Sequence, residues 1–312
     1  MPSVLVIGEA LIDVVQRPNG EIKNIPGGSP ANTAVALSRL GTKTFMKARI
    51  SADKFGVEVR NYLINEKIDL KYSRIVPEPS SVINAFIQPD GSAKYEANLK
   101  GSSDYGWTQE ELNQDISRDI EIIQLGSLTS YIEPGASHIE KWFESLRKLK
   151  KYLLIFDPNI RHPLDGQTET EVRMRAKKLA SFAHVVKASD EDLNWIFPTL
   201  DPKNAAIEII KSGASLVVIT KGKNGAIAID KQKKSTHIDS VNIEVKDTIG
   251  AGDTFGASLI TQLLESNILT ESALENLNQE QLSQILNNCA LTAAITCSRQ
   301  GANPPFRNEV SW

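Results

Sequence analysis

Five short apolar runs, at residues 4–7, 120–125, 152–156, 184–187 and 215–220, limit what this chain can fold into more than any other feature. Each lacks the polar alternation of a strand with one wet face, so each predicts a strand buried on both sides. Amphipathic helical patterns separate most of the later runs. Their starts fall near Pro30, Lys54, Pro134, Thr168, Asp190, Pro202 and Gly250, and a long helix is expected over 279–298. This alternation predicts an α/β protein, three layers deep (α/β/α), around a mainly parallel sheet. No internal repeat, low-complexity stretch or long linker divides the chain, and one domain over 1–312 is expected.

Two segments break the pattern. Residues 14–23 turn at Asn19-Gly20 and residues 82–97 turn at Asp90-Gly91, both dipeptides that favour tight hairpins. Two placements stay open: edge hairpins of the main sheet, or a small separate β layer over the strand ends, a lid built from inserted segments of about 13–27 and 82–105.

With 41% hydrophobic and 23% charged residues, the 312-residue chain can bury a large core. Thirty-five basic against 38 acidic residues give a formal charge of -3, so there is no electrostatic reason to expect nucleic acid or an anionic membrane as partner. A small molecule is expected instead. Cys289 and Cys297, eight residues apart in one expected helix, suggest neither a disulfide framework nor a zinc site. No targeting segment or membrane span is read, and a cytoplasmic location is expected.

The most informative string is Asp247-Thr248-Ile249-Gly250-Ala251-Gly252-Asp253, which runs directly into an apolar helical pattern. Small residues at a helix start let its unpaired N–H groups approach an anion, and the helix dipole adds positive potential there. Phosphate is the natural guest. Asp253 beside those donors is placed to take the proton of a hydroxyl attacking phosphorus, or else simply to cap the helix. Upstream, Gly8-Glu9-Ala10-Leu11-Ile12-Asp13 ends the first strand and Gly27-Gly28-Ser29-Pro30-Ala31-Asn32 opens a helix. Asp13 and Asn32 suit adjacent hydroxyls of a polyol and Gly28 permits close backbone approach; a turn residue and a helix-start residue are the plainer readings.

Asp157-Pro158-Asn159-Ile160-Arg161 follows a buried strand and places a guanidinium at its end, suited to phosphate or hydroxyl oxygens or to a surface ion pair. Lys187-Ala188-Ser189-Asp190-Glu191-Asp192 ends another strand, where Ser189 and Asp192 also outline a helix capping box. Thr220-Lys221-Gly222-Lys223-Asn224-Gly225 ends a third. There is no Gly-x-Gly-x-x-Gly after the first strand and no Gly-x-x-x-x-Gly-Lys-[Ser/Thr], so dinucleotide-fold dehydrogenases and P-loop kinases are set aside.

Together these strings resemble the ribokinase-like (PfkB) carbohydrate kinases over nearly the whole chain. The heptad matches every specified position of that family's Asp-Thr-x-Gly-Ala-Gly-Asp signature. The resemblance implies Asp253 as catalytic base, Gly250, Ala251 and Gly252 as the anion hole, and Asp247 beside a monovalent cation, potassium. It implies Asp13, Gly28, Asn32 and Arg161 around the sugar, and Lys187, Ser189, Thr220, Gly222 and Gly225 near ATP. Magnesium would be reached by Asp192 through water, because Ser189 and Asp192 replace the longer Asn-x-x-Glu of many members. The implied reaction is ATP-dependent phosphorylation of a small sugar, D-fructose to fructose 6-phosphate in the fructokinase-like subgroup. Alternatives are 2-keto-3-deoxygluconate, ribose, or a sugar-binding sensor without catalysis. Residues 95–100 depart from the aromatic-Arg pattern of many fructokinases, and a homodimer through the lid is a further expectation.

Overall fold

The computed structural model describes residues 2–87, 93–161 and 167–312. Its main sheet has eight strands, in the spatial order Ser235–Ile238, Ala226–Asp230, Leu216–Thr220, Val185–Ser189, Leu153–Asp157, Ile120–Gly126, Ser3–Ile7 and Lys43–Lys47. The last six are mutually parallel, and the first two add an antiparallel edge. All five apolar runs are therefore strands of one sheet.

The absence of polar alternation has a direct structural cause. Leu5 and Ile7, Ile123 and Leu125, Leu154 and Phe156, and Val217 and Ile219 point to one face. There they pack against the helices Gly135–Leu149, Glu169–Phe182 and Pro202–Ser212. Val4 and Val6, Ile122, Leu153 and Ile155, and Val218 point to the other, against Ser29–Arg39, Ala251–Glu265 and Gln279–Cys297. Each fully buried side chain of this size contributes about 1.5–3 kcal/mol relative to exposure, which fixes the three-layer arrangement. The expected helix starts hold to within one residue. Thr168, Ser189 and Asn278 close capping boxes, and Asp201 and Asp53 accept backbone amides as caps.

The two interrupting segments form a separate four-stranded sheet, in the order Ile22–Gly27, Leu11–Gln16, Val82–Ile87, Ala93–Asn98. The edge-hairpin placement is thereby excluded. The first ribbon starts at Leu11, ahead of the expected residue 14, because Leu11 and Ile12 are already buried where the chain leaves the main sheet. It turns through Asn19-Gly20, with Gly20 donating to the Arg17 carbonyl. The Asp90-Gly91 turn lies outside the described residues. Ile12, Val14 and Val82 bury one lid face against Val59 and Leu63 of the helix Lys54–Asn65.

Three features were not read from the sequence. Lys43–Lys47 and Ser235–Ile238 begin with polar residues, and the pair Arg49–Ser51 and Arg74–Val76 is too short to show a period. Among the described residues no helix is long and apolar enough to cross a membrane.

Candidate active site

In a parallel sheet all strands deliver their carboxyl ends to the same edge. Here that edge gathers Gly8, Gly126, Asp157, Ser189 and Thr220, with Ser189 and Thr220 directly paired across neighbouring strands. The helix Ala251–Glu265 starts with Gly250 as its cap in the left-handed conformation (φ 76°). A side chain at 250 would also lie 2.7 Å from the Ala302 Cβ, so glycine is required both by the backbone and by the tail packed on it. The Ala251 amide turns back to the Thr248 carbonyl and that of Thr254 reaches Gly250. The amides of Gly252 and Asp253 are first-turn donors without an intrahelical acceptor.

Asp253 is buried at this helix start and meets the first helix of the chain. Ser29 donates its hydroxyl to Asp253 Oδ1 at 2.6 Å, and Asn32 Nδ2 donates to Oδ2 at 3.0 Å, across 221 residues of sequence. The capping alternative does not hold, since Gly250 is the cap and no side chain bonds the first-turn amides; the Asp253 carboxylate is aimed by two side chains from elsewhere. Gly28 caps the helix that carries both donors (φ 100°), and a Cβ there would stand 2.8 Å from the Glu9 carbonyl oxygen. Next to it, Asp13 Oδ2 lies 2.6 Å from where a Gly27 Cβ would be. Asp13 is part-buried with no protein donor on its carboxylate among the described residues, and burial pushes its pKa up to about 6.

Beneath the glycines runs a buried ion pair, Lys187 Nζ to Asp157 Oδ2 at 2.8 Å. Lys187 Nζ is also 3.2 Å from the position of a Gly252 Cβ, so the ammonium lies directly under the glycine-rich helix start. Burial raises the Asp157 pKa to about 6 against the pull of Lys187, and Asp192 and Asp253 push it the same way. Burial opposes the charge on Lys187, but Asp157, Asp253 and Asp192 together outweigh it and hold its pKa up. Three acids against one lysine leave surplus negative charge, which makes Asp157 and Lys187 hold their protons more tightly.

Asp192 has both oxygens engaged. Oδ1 accepts the Ile160 amide at 2.8 Å, and Oδ2 accepts the Ser189 amide and hydroxyl in the capping box. Asp247 likewise accepts the amides of Ile249 and Gly301, tying the glycine loop to the tail. Thr220 ends its strand part-exposed, and Gly222 and Gly225 turn the chain so that the Lys221 amide donates to the Gly225 carbonyl and the Lys221 carbonyl accepts the Asn224 amide. Arg161 is exposed, its guanidinium 3.4 Å from its own neighbour's carbonyl, and it adjoins residues 162–166, which lie outside the described residues. Ser29 and Asp157 were not singled out from the sequence, although both stand inside quoted motifs; only their contacts mark them.

The pattern described as pfkB family carbohydrate kinase matches residues 1–309. The chain belongs to that family. A fructokinase of Rhizobium leguminosarum bv. trifolii is 34% identical over 284 residues, covering 89% of this chain and 85% of the relative. Among solved structures, a double-mutant fructokinase of Vibrio cholerae, with fructose, ADP and potassium bound, superposes with a TM-score of 0.83 at 22% identity, covering 97% and 94% of the two chains. Aminoimidazole riboside kinase of Salmonella enterica does so with a TM-score of 0.81 at 21% identity, covering 98% of each. This carbohydrate kinase thus shares its ribokinase-like fold with enzymes named for different acceptors.

Proposed function

We propose that this kinase transfers the γ-phosphoryl group of ATP to a hydroxyl of D-fructose, giving fructose 6-phosphate, with Asp253 as general base. The observation that carries the reading is the meeting of Asp253 with Ser29 and Asn32 at the mouth of the glycine helix start. The sugar lies between Asp13 and Asn32 under the lid, with Arg161 at the rim. The nucleotide lies along the strand ends, past Lys187, Ser189 and the loop Thr220, Gly222 and Gly225. Asp253 takes the hydroxyl proton while the sugar oxygen bonds to phosphorus and the bond to the ADP oxygen breaks. The free amides of Gly252 and Asp253, in the turn Gly250-Ala251-Gly252, and the Lys187 ammonium beneath them face the charge on the transferring group. The fructokinase relative supports fructose; ribose and 2-keto-3-deoxygluconate are the alternatives.

Magnesium would supply charge neutralisation of the phosphates. No group of three or more His, Cys, Asp or Glu gathers as a metal site among the described residues, and Asp192 has no oxygen to spare. Asp157 keeps one buried oxygen, Oδ1, without a partner. That set fits an ion carried mainly by phosphate and water, with Asp157 and Asp192 in its outer shell, and the surplus acid of the cluster favours a divalent charge there. A potassium ion would sit beside Asp247, whose two amide contacts fix that loop. The reading includes a cytoplasmic enzyme with Cys289 and Cys297 reduced, and a homodimer through the lid, where Ile22 and Ile25 are exposed.

The test is ADP release with ATP and magnesium over fructose, ribose, 2-keto-3-deoxygluconate, aminoimidazole riboside and adenosine. Selective turnover of fructose supports the reading, turnover of another acceptor replaces the sugar, and binding without turnover replaces the kinase by a sensor. A pH dependence follows from Asp13. Its carboxylate accepts charge-assisted bonds from two hydroxyls only when ionised, so sugar affinity is lost as pH falls through its raised value of about 6. The KM for fructose at saturating ATP is expected to rise about tenfold per pH unit below that point, and Asp13→Asn to abolish that dependence while raising KM at neutral pH. A profile identical in the variant would remove Asp13 from the sugar site.

A further inference from the structure

Besides its exit at Gly28 into the helix Ser29–Arg39, the lid joins the rest of the protein through three stretches of chain. One is Glu9-Ala10 after the first strand, one is Ser80-Ser81 before Val82–Ile87, and one is the return after Ala93–Asn98 through Ser102. One side chain reaches two of these directly and the third through Ser81. Asp104 Oδ1 accepts the Ala10 amide at 2.9 Å, and Oδ2 accepts the Ser81 hydroxyl, which in turn lies 2.6 Å from the Ser102 hydroxyl. The Ser81 carbonyl accepts the Ile12 amide, so Asp104 holds both ends of the turn that presents Asp13.

Asp104 is 1% exposed, and so is Glu9, whose carboxylate accepts the Thr129 amide and hydroxyl on the opposite side of the same turn. Among the described residues neither acid has a basic partner at ion-pair distance. Burial pushes the Asp104 pKa up to about 7, with the Glu9 charge adding to it. Burying two unpaired acids against one short turn is costly, and a polar core of that kind sets position rather than adding stability. The backbone it fixes leads to Asp13 on one side and, through the Glu9 carbonyl against Gly28, to the helix carrying Ser29 and Asn32 on the other.

We propose that Asp104 is a positioning residue for the sugar: by tying three of the lid's roots together, directly and through Ser81, it sets Asp13 against the acceptor, without touching sugar or nucleotide itself. This rests on the reading that Asp13 contacts the sugar. The experiment compares Asp104→Ala, Asp104→Asn and Ser81→Ala with wild type in steady-state kinetics and thermal unfolding. Wild-type turnover of fructose is measured first; its absence refutes the fructose assignment alone, and the comparison is then run with whichever of ribose or 2-keto-3-deoxygluconate is phosphorylated.

Asp104→Ala is expected to raise the KM for the sugar on the order of tenfold or more, the scale at which small misplacement of a site is felt, with the KM for ATP nearly unchanged. Asp104→Asn keeps an acceptor for Ala10 and a donor for Ser81, and is expected to recover most of the sugar KM. Ser81→Ala, which keeps the carboxylate and cuts one root, is expected to fall between them and carries the test if Asp104→Ala does not fold. A lowered melting temperature with the sugar KM unchanged in Ser81→Ala and Asp104→Asn alike, or equal changes in both KM values, would overturn the proposal.

Discussion

Asp253→Asn is expected to keep sugar and nucleotide binding close to wild type while turnover falls by roughly 10²–10⁴, the contribution of a placed general base. The substitution is conservative in this setting. Its amide oxygen can keep the bond from Asn32 and its amide nitrogen can donate to the Ser29 hydroxyl, so both contacts that aim the side chain survive. What is lost is the capacity to accept a proton from the sugar. Isothermal titration with fructose and with ATP, alongside the ADP-release assay, separates the two effects. Turnover near wild type would remove Asp253 as the base, and loss of sugar binding would recast it as a binding residue.

Lys187→Met should be nearly as damaging, for two separable reasons. Both members of the Lys187–Asp157 pair are buried, with side-chain exposures of 7% and 6%. Removing the ammonium leaves a carboxylate in the interior with Asp192 and Asp253 nearby, a loss on the order of 3–5 kcal/mol of stability. It also removes the cation under Gly252, in the proposed anion hole, where one donor to the transferring group is expected to contribute roughly 10²–10³ in turnover. The double variant Lys187→Met/Asp157→Asn distinguishes them. Thermal unfolding should recover part of the lost stability, because the orphaned charge is gone, while turnover stays low. Recovery of turnover in the double variant would mean that Lys187 serves only to neutralise Asp157.

Much of the fold was legible because its signal is local. A strand buried on both faces has to be apolar at every position, so the five runs could be read directly. The helix starts were visible because Thr168, Ser189, Asp201 and Asn278 satisfy their own first-turn amides within a few residues. The capping box at Ser189 and Asp192 was outlined in the same way, and in it both Asp192 oxygens accept hydrogen bonds. Lys43–Lys47 escaped notice for a similar local reason, since the edge strand begins with Lys43 and Thr44 and shows no continuous apolar run.

The site was legible only in pieces. Gly250 to Asp253 declares a helix start fit for an anion, because small residues and an acid at that spacing act through their own backbone. That Ser29 and Asn32 reach Asp253, that Lys187 lies under Gly252, and that Asp104 ties Ala10 to Ser81 are relations across 224, 221, 65 and 94 residues of chain. No periodicity encodes them. By itself the sequence determined the layers, the helix starts and the glycine-rich turn before Asp253, since propensity, patterning and capping act over a few residues. Only the tertiary structure decided which acid is aimed, which lysine is buried beneath it and how the lid is anchored, since those depend on side chains meeting after the sheet has brought distant strand ends to one edge.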